Sequence, residues 1–255
     1  MHDYWQKQGK EALYGDLQWS RPVNKTSAGK LLIVGGNLHG FNVPAMAYSV
    51  ALKAGAGTVR VVLPDALQKT ISKIFAEAEY APSTASGSLA AQAYASIVDL
   101  ATWADALLLA GEFGRNSETS ILIEKIVSEL RLPMVVAGDI LDELLSNKTA
   151  LAKSNLVICP EFNQLQKMAT NFKFTKPFTS TMTLLKYVET LHEFSDSNKL
   201  TVLTSYSGSI FVAHEGRLSS TKTSIRLNDA ATRASVWYMQ NPQKKFEALT
   251  TSLVE

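Results

Sequence analysis

The stretch LKAGAGTVRVVLP, residues 52–64, sets two glycines one residue apart and runs straight into alternating β-branched residues. A glycine just past a helix takes the left-handed conformation without a Cβ clash, and the second glycine is expected to let the helix lie close on the sheet it feeds. The stretch therefore reads as a tight helix-to-strand joint. Outward from it, short apolar runs alternate with longer amphipathic ones, as in an α/β sheet covered by helices on both faces. KLLIVGG (30–36), TVRVVLP (58–64), DALLLAG (105–111), PMVVAGD (133–139) and NLVICP (155–160) read as strands. Helices are expected over residues 44–54, 88–103, 117–130 and 141–146. Several strands end in glycine or an acidic residue at the carboxyl side, where open α/β sheets bind ligands. After a helix near 180–194 the pattern changes: KLTVLTSYSGSIFVAHEGRLSS (199–220) offers two or three shorter strands, the mark of an antiparallel edge. A helix over 227–240 follows, with Asn228 or Asp229 suited to its N-cap.

With 255 residues, 46% of them apolar, the chain can bury a sizeable core. The expectation is a single domain over 25–255 behind an arm, 1–24, in which aromatic residues sit among charges. The arm reads as a docking segment or a short helix laid on the body. No apolar run reaches the roughly 18 residues of a membrane span, and the first residues lack a secretory pattern, so a cytoplasmic protein is expected. The single cysteine, Cys159, excludes an intrachain disulfide and a multi-cysteine metal site, and reads as a small buried residue. A net charge of +2 gives no reason to expect nucleic acid or an anionic membrane as partner.

GKLLIVGGNLHGFNVPAMAYSVALKAGAGTVRVVLP (29–64) resembles the opening of the ADP- or ATP-dependent NAD(P)H-hydrate dehydratases of the ribokinase-like superfamily. Gly35, Gly36, Ala54, Gly55, Ala56 and Gly57 match its glycine pairs directly. Further on the chain departs from the family's motifs. G-P-G-L-G becomes AGEFG (110–114) followed by Arg115, and D-A-D-A-L becomes AGDIL (137–141), which keeps Asp139. T-P-H-x-x-E becomes CPEFNQ (159–164), with Gln164 in place of the metal-associated glutamate. An expected lysine becomes Thr204 or Ser205, and G-T-G-D becomes RLND (226–229), which keeps only the aspartate.

The resemblance implies a three-layer ribokinase-like sandwich with a mostly parallel sheet. It implies a reaction in which ADP or ATP, with Mg²⁺, phosphorylates the hydroxyl of hydrated NADH or NADPH, after which phosphate is eliminated. It also implies a homo-oligomer and small-molecule nucleotides as partners. Asp229 is the implied catalytic base, its local alternative being a helix cap. Gly36, Asn37, His39 and Asp139 would meet the substrate; Asp139 equally suits a cap for the helix beginning near residue 141, or a ligand to Mg²⁺-bound water. Gly114, Arg115, Arg226 and Asn228 would meet the nucleotide, with Arg226 as a charged fork for lost amide donors or as a solvated surface charge. Two other functions stay open: an inactive relative kept as a binding or assembly module, and a small-molecule kinase of the same superfamily.

Overall fold

A computed structural model of the protein describes residues 3–254. Ten strands form one sheet: β1 (Trp5–Gln8), β2 (Lys30–Val34), β3 (Thr58–Pro64), β4 (Ala78–Ala81), β5 (Ala106–Leu109), β6 (Met134–Ala137), β7 (Leu156–Cys159), β8 (Val202–Tyr206), β9 (Ser209–His214) and β10 (Arg217–Lys222). Their order is β1-β10-β9-β8-β7-β6-β5-β2-β3-β4. From β4 across to β8 every pairing is parallel; β9 runs antiparallel to both its neighbours, and β1 pairs in parallel with β10. The mostly parallel sheet with an antiparallel end is the architecture expected from the sequence.

Among the described residues eleven α-helices accompany the sheet: α1 (Gly15–Trp19), α2 (Asn42–Lys53), α3 (Gln68–Ile71), α4 (Ala93–Trp103), α5 (Ser117–Glu129), α6 (Ile140–Leu144), α7 (Lys148–Leu151), α8 (Phe162–Asn171), α9 (Leu184–Asn198), α10 (Leu227–Gln240) and α11 (Lys245–Thr251). Strands β5, β6 and β7 are apolar and buried at every position, as expected where both faces of the sheet are covered. Leu32 and Val34 face a layer with residues of α4, α5, α8 and α9, while Leu31 and Ile33 face one with residues of α2, α10 and α11. Each such side chain contributes about 1.5–3 kcal/mol of burial. Among the described residues no helix is long and apolar enough to cross a membrane.

At the opening joint, the Gly55 N–H donates to Leu52 O (3.0 Å) with φ at +91°, and the Ala56 N–H donates to Ala51 O (3.0 Å). The first glycine therefore closes the helix as expected. The second does something else: a Cβ on Gly57 would stand 1.9 Å from Lys25 O, so it is the 25–29 loop, not the helix, that presses on it.

Other elements differ from the sequence reading. Residues 88–92 are not helical, because Leu89 bridges to Ser83 across a turn closed by the Thr84 N–H on Ser88 O (2.8 Å), and α4 starts at Ala93. Within the first 24 residues, β1 joins the sheet edge: Trp5 Nε1 donates to Ser220 Oγ (2.9 Å), and Gln8 Nε2 to Thr221 Oγ1 (3.0 Å) and Thr250 O (2.6 Å).

Candidate functional site

The carboxyl end of the parallel sheet is shaped by backbone-to-backbone approach. A Cβ on Gly35 would stand 1.9 Å from Ala110 O, and one on Gly138 would stand 2.4 Å from Gly111 O. Glycine at these positions brings the loops after β2, β5 and β6 together. Gly36 turns the chain with φ at +82°, and residues 37–40 close on themselves, the Asn37 N–H donating to Gly40 O (2.9 Å) and the Gly40 N–H to Asn37 O (3.1 Å). Asn37 is buried and organises this turn. Its Oδ1 accepts from the His39 N–H (2.8 Å) and its Nδ2 donates to Glu112 O (3.0 Å). The His39 ring is left exposed at the tip.

Asp139 serves the next loop. Its Oδ1 accepts from the Phe113 N–H (2.8 Å) and its Oδ2 from the Gly114 N–H (3.3 Å), which ties the 110–114 segment to the start of α6. No side-chain cap bond to α6 accompanies these. Burial pushes the Asp139 carboxyl up and outweighs the two amide bonds, which act the other way; the charges of Glu112 and Asp142 add to the rise.

Beside it lies a cavity of about 500 Å³ whose lining includes Gly114, Arg115, Asp139, Asp142 and Lys167. Its far wall is α8, which the sequence reading passed over although Glu161 and Gln164 have the spacing of a capping box. Buried Gln164 accepts from the Glu161 N–H (3.0 Å) and donates through Nε2 to Gly138 O (2.9 Å) and Asp142 Oδ2 (3.0 Å). Lys167 Nζ takes the other oxygen of Asp142 (2.5 Å). Burial raises the Asp142 carboxyl, but the bonds from Lys167 and Gln164 with the Lys167 and Arg115 charges bring it below its ordinary value. This cluster does not fit a divalent cation held by Asp142 and residue 164. The amide turns donors toward the carboxylate, and an ammonium already supplies the positive charge. Among the described residues no group of three or more His, Cys, Asp or Glu side chains is placed to hold a metal.

Arg226, Asn228 and Asp229 lie on the opposite face of the sheet, at the start of α10 beside α2. Arg226 is the N-cap residue, with an extended backbone (φ −70°, ψ 149°), so the helix begins before either residue expected to cap it, and Asn228 and Asp229 occupy the first turn. No side chain caps the free amides there. Arg226 instead grips the aspartate, Nε to Oδ2 at 3.1 Å and Nη2 to Oδ1 at 3.5 Å. A small cavity of about 50 Å³ between Val43, Met46, Ala47, Asn228 and Asp229 opens beside a groove of about 830 Å³ whose walls carry Arg21, Lys53, Arg226, Arg233 and Trp237. The predicted residues thus form two groups, one around Asp139 and one around Asp229, and no single cavity described above is lined by both. Thr204 is buried in β8, its Oγ1 donating to Pro160 O (2.8 Å), and Cys159 is a free buried thiol pushed up by burial.

A family model described as NAD(P)H-hydrate dehydratase matches residues 31–231. The chain belongs to the NAD(P)H-hydrate dehydratase family. Among curated proteins it is similar to the bifunctional NAD(P)H-hydrate repair enzyme Nnr of Moorella thermoacetica, 26% identical over 144 residues, which cover 55% of this chain and 27% of that protein. The enzyme of the same name from Salinibacter ruber is 27% identical over 151 residues, covering 57% and 28%. The match spans little more than a quarter of these relatives' length. The fold matches a ribokinase-like superfamily protein of Enterococcus faecalis with a TM-score of 0.72, at 13% identity over 98% of this chain and 85% of that one. It also matches the ADP/ATP-dependent NAD(P)H-hydrate dehydratase of Bacillus subtilis co-crystallised with ATP and Mg²⁺, with a TM-score of 0.62 at 11% identity over 92% and 81%. The matched range includes both the glycine joint at residues 55–57 and the α10 start that carries Asp229.

Proposed function

We propose that the protein is a nucleotide-dependent repair enzyme for hydrated NADH and NADPH. The observation that carries this reading is the start of α10, where uncapped amides and Asp229 share one helical turn at the ligand-binding end of the sheet. Amides at a helix N-terminus suit phosphate oxygens. Asp229 accepts the proton of the ring hydroxyl as that oxygen attacks the terminal phosphoryl group of ADP or ATP; phosphate then leaves with the C–O electron pair while the adjacent ring carbon gives up a proton to water, which restores the ring double bond of the reduced dinucleotide. Arg226 first holds the carboxylate and then turns its guanidinium to the transferred phosphoryl oxygens, a charged fork in place of the glycine amides. Mg²⁺ bound to the nucleotide would neutralise phosphate charge; the Asp142–Gln164 cluster does not suit it, because Gln164 Nε2 and Lys167 Nζ already donate to Asp142.

The test is incubation of the protein with hydrated NADH and either nucleotide, followed by the absorbance of the reduced nicotinamide. Recovery of that absorbance only with nucleotide supports the reading; its absence with both nucleotides overturns it. The Arg226–Asp229 pair also favours a second reading, a binding module whose base stays neutralised. Nucleotide-dependent thermal stabilisation without any turnover would select that one.

A further inference from the structure

At the end of the sheet away from the carboxyl edge, a cavity of about 380 Å³ is lined by residues including Ser154, His214, Arg217, Tyr238, Lys244 and Lys245. We propose that Lys245 is a nucleophilic amine at this cavity, open to acylation by small acyl phosphates. Lys245 is the first residue of α11 and is only 8% exposed. Its Nζ donates to the Ser154 carbonyl that precedes β7 and lies 5.1 Å from the Tyr238 ring centre. The charged groups around it are otherwise matched: Arg217 pairs with Glu247 (2.7 Å) and Lys244 with Asp16 (2.9 Å), while His214 Nδ1 meets Thr201 Oγ1 (2.9 Å). No ion pair among the described residues includes Lys245, and Glu215 acts on it only at longer range.

Lys153 offers a comparison in bonding. Burial and the Arg131 charge lower its amine too, but its Nζ donates to three carbonyls, Val127 O (2.7 Å), Ser128 O (2.9 Å) and Leu130 O (2.9 Å), so all three of its donors are used. An ammonium that is largely buried, with one such bond and no ion pair, favours its neutral form. Burial accordingly brings the Lys245 amine down to about 8. The neutral nitrogen attacks the acyl carbon of the donor. The new C–N bond forms as the acyl C–O bond breaks, phosphate leaves with the electron pair, and the nitrogen releases a proton to water. Arg217 and Lys244 at the rim attract the anionic donor.

The test exposes the folded protein to acetyl phosphate between pH 7 and 10 and quantifies acetylation lysine by lysine through peptide mass spectrometry. At pH 7.5 Lys245 is expected to react about tenfold faster than the median lysine, because far more of it is unprotonated. Its rate levels off near pH 8 to 9 while the others keep climbing, and the advantage vanishes in denaturant. A rate at or below the median, or one that climbs in parallel with the other lysines, overturns the proposal. The measurement needs no variant, so it does not depend on how Lys245→Arg folds.

Discussion

The two groups of candidate residues obey different rules. Around Gly35, Gly111 and Gly138, backbone meets backbone and the residue type is dictated by space. From Arg226 to Asp229 there is no glycine, and side chains meet side chains: the Arg226 guanidinium holds the Asp229 carboxylate. The contrast teaches that the first group builds the sheet's mouth whether or not a ligand comes, whereas under the proposed function the second acts through what it binds. Substitutions separate the two by how they fail: the first group should fail in folding and the second in chemistry.

Gly35→Ala should give the largest effect. A Cβ 1.9 Å from Ala110 O cannot be relieved by a side-chain rotation, so strands β2 and β5 must part. The expected cost is about 4 kcal/mol or more, or failure to fold, read by urea denaturation. A change below about 1 kcal/mol would erase the contrast from this side. Asp229→Asn comes next and should do the reverse: nucleotide-dependent repair falls by roughly 10²–10⁴, while folding stability moves by less than about 1 kcal/mol, since the Arg226 pair is partly solvated. Full activity in this variant would remove Asp229 from the chemistry.

Gln164→Glu tests the first group where its backbone meets charged side chains. A carboxylate there would face Gly138 O and Asp142 where an amide now donates to both, at a cost of about 2–3 kcal/mol. Millimolar Mg²⁺ should recover part of that loss in the variant and leave the parent unchanged. Equal Mg²⁺ effects on both proteins would show that Lys167 does not stand in for a cation.

Asp139→Asn is smaller, about 1–2 kcal/mol, because one of two accepted backbone bonds is lost. It has a pH signature as well. The Asp139 carboxyl lies above its ordinary 3.8 in the folded protein, so between that value and the folded one the unfolded chain releases a proton that the folded chain keeps. Asp139 therefore makes stability fall as pH rises through that window, and the variant should lose this contribution. Asp142, held below its ordinary value, acts oppositely and loses its contribution as pH falls through its folded value. Denaturation midpoints of parent and variant measured from pH 3 to 6 decide the matter; parallel curves would contradict the assignment to Asp139.

Much of the fold was legible because it rests on backbone rules. The apolar runs of β2, β3, β5, β6 and β7 are buried on both faces and need no partner to be recognised, and Gly55 marks its helix end by conformation alone. Less legible were β1 and β4, four-residue edge strands whose pairing depends on neighbours far away in sequence. The reason for Gly57 was misread for the same cause, since Lys25 O reaches it from outside the local stretch. Asp139 and Asn37 stand out in the sequence, but their hydrogen bonds to the 112–114 backbone are ones that spacing does not reveal. Asp142 and Lys167 were missed altogether, although Gln164 three residues after Glu161 marked the helix that carries Lys167.

Arg226→Ala gives the smallest effect on folding and the sharpest view of the α10 start. Its side chain is 65% exposed, so removing this ion pair between the N-cap and the first turn should change stability by well under 1 kcal/mol. If the arginine only neutralises Asp229, its loss frees the base, and repair activity holds or rises. If it supplies the donors that the family's glycine amides would give, its loss weakens the transition state and lowers kcat by about 10²-fold or more, as removal of one charged donor does at other phosphoryl and oxyanion sites. Arg226→Lys sharpens the distinction, because an ammonium keeps the charge but not the two-pronged geometry. Recovery by lysine would reduce the role of Arg226 to charge; persistence of the defect would show that the planar fork itself replaced the lost glycine amides, and that the chain kept its anion site by exchanging backbone donors for a side chain.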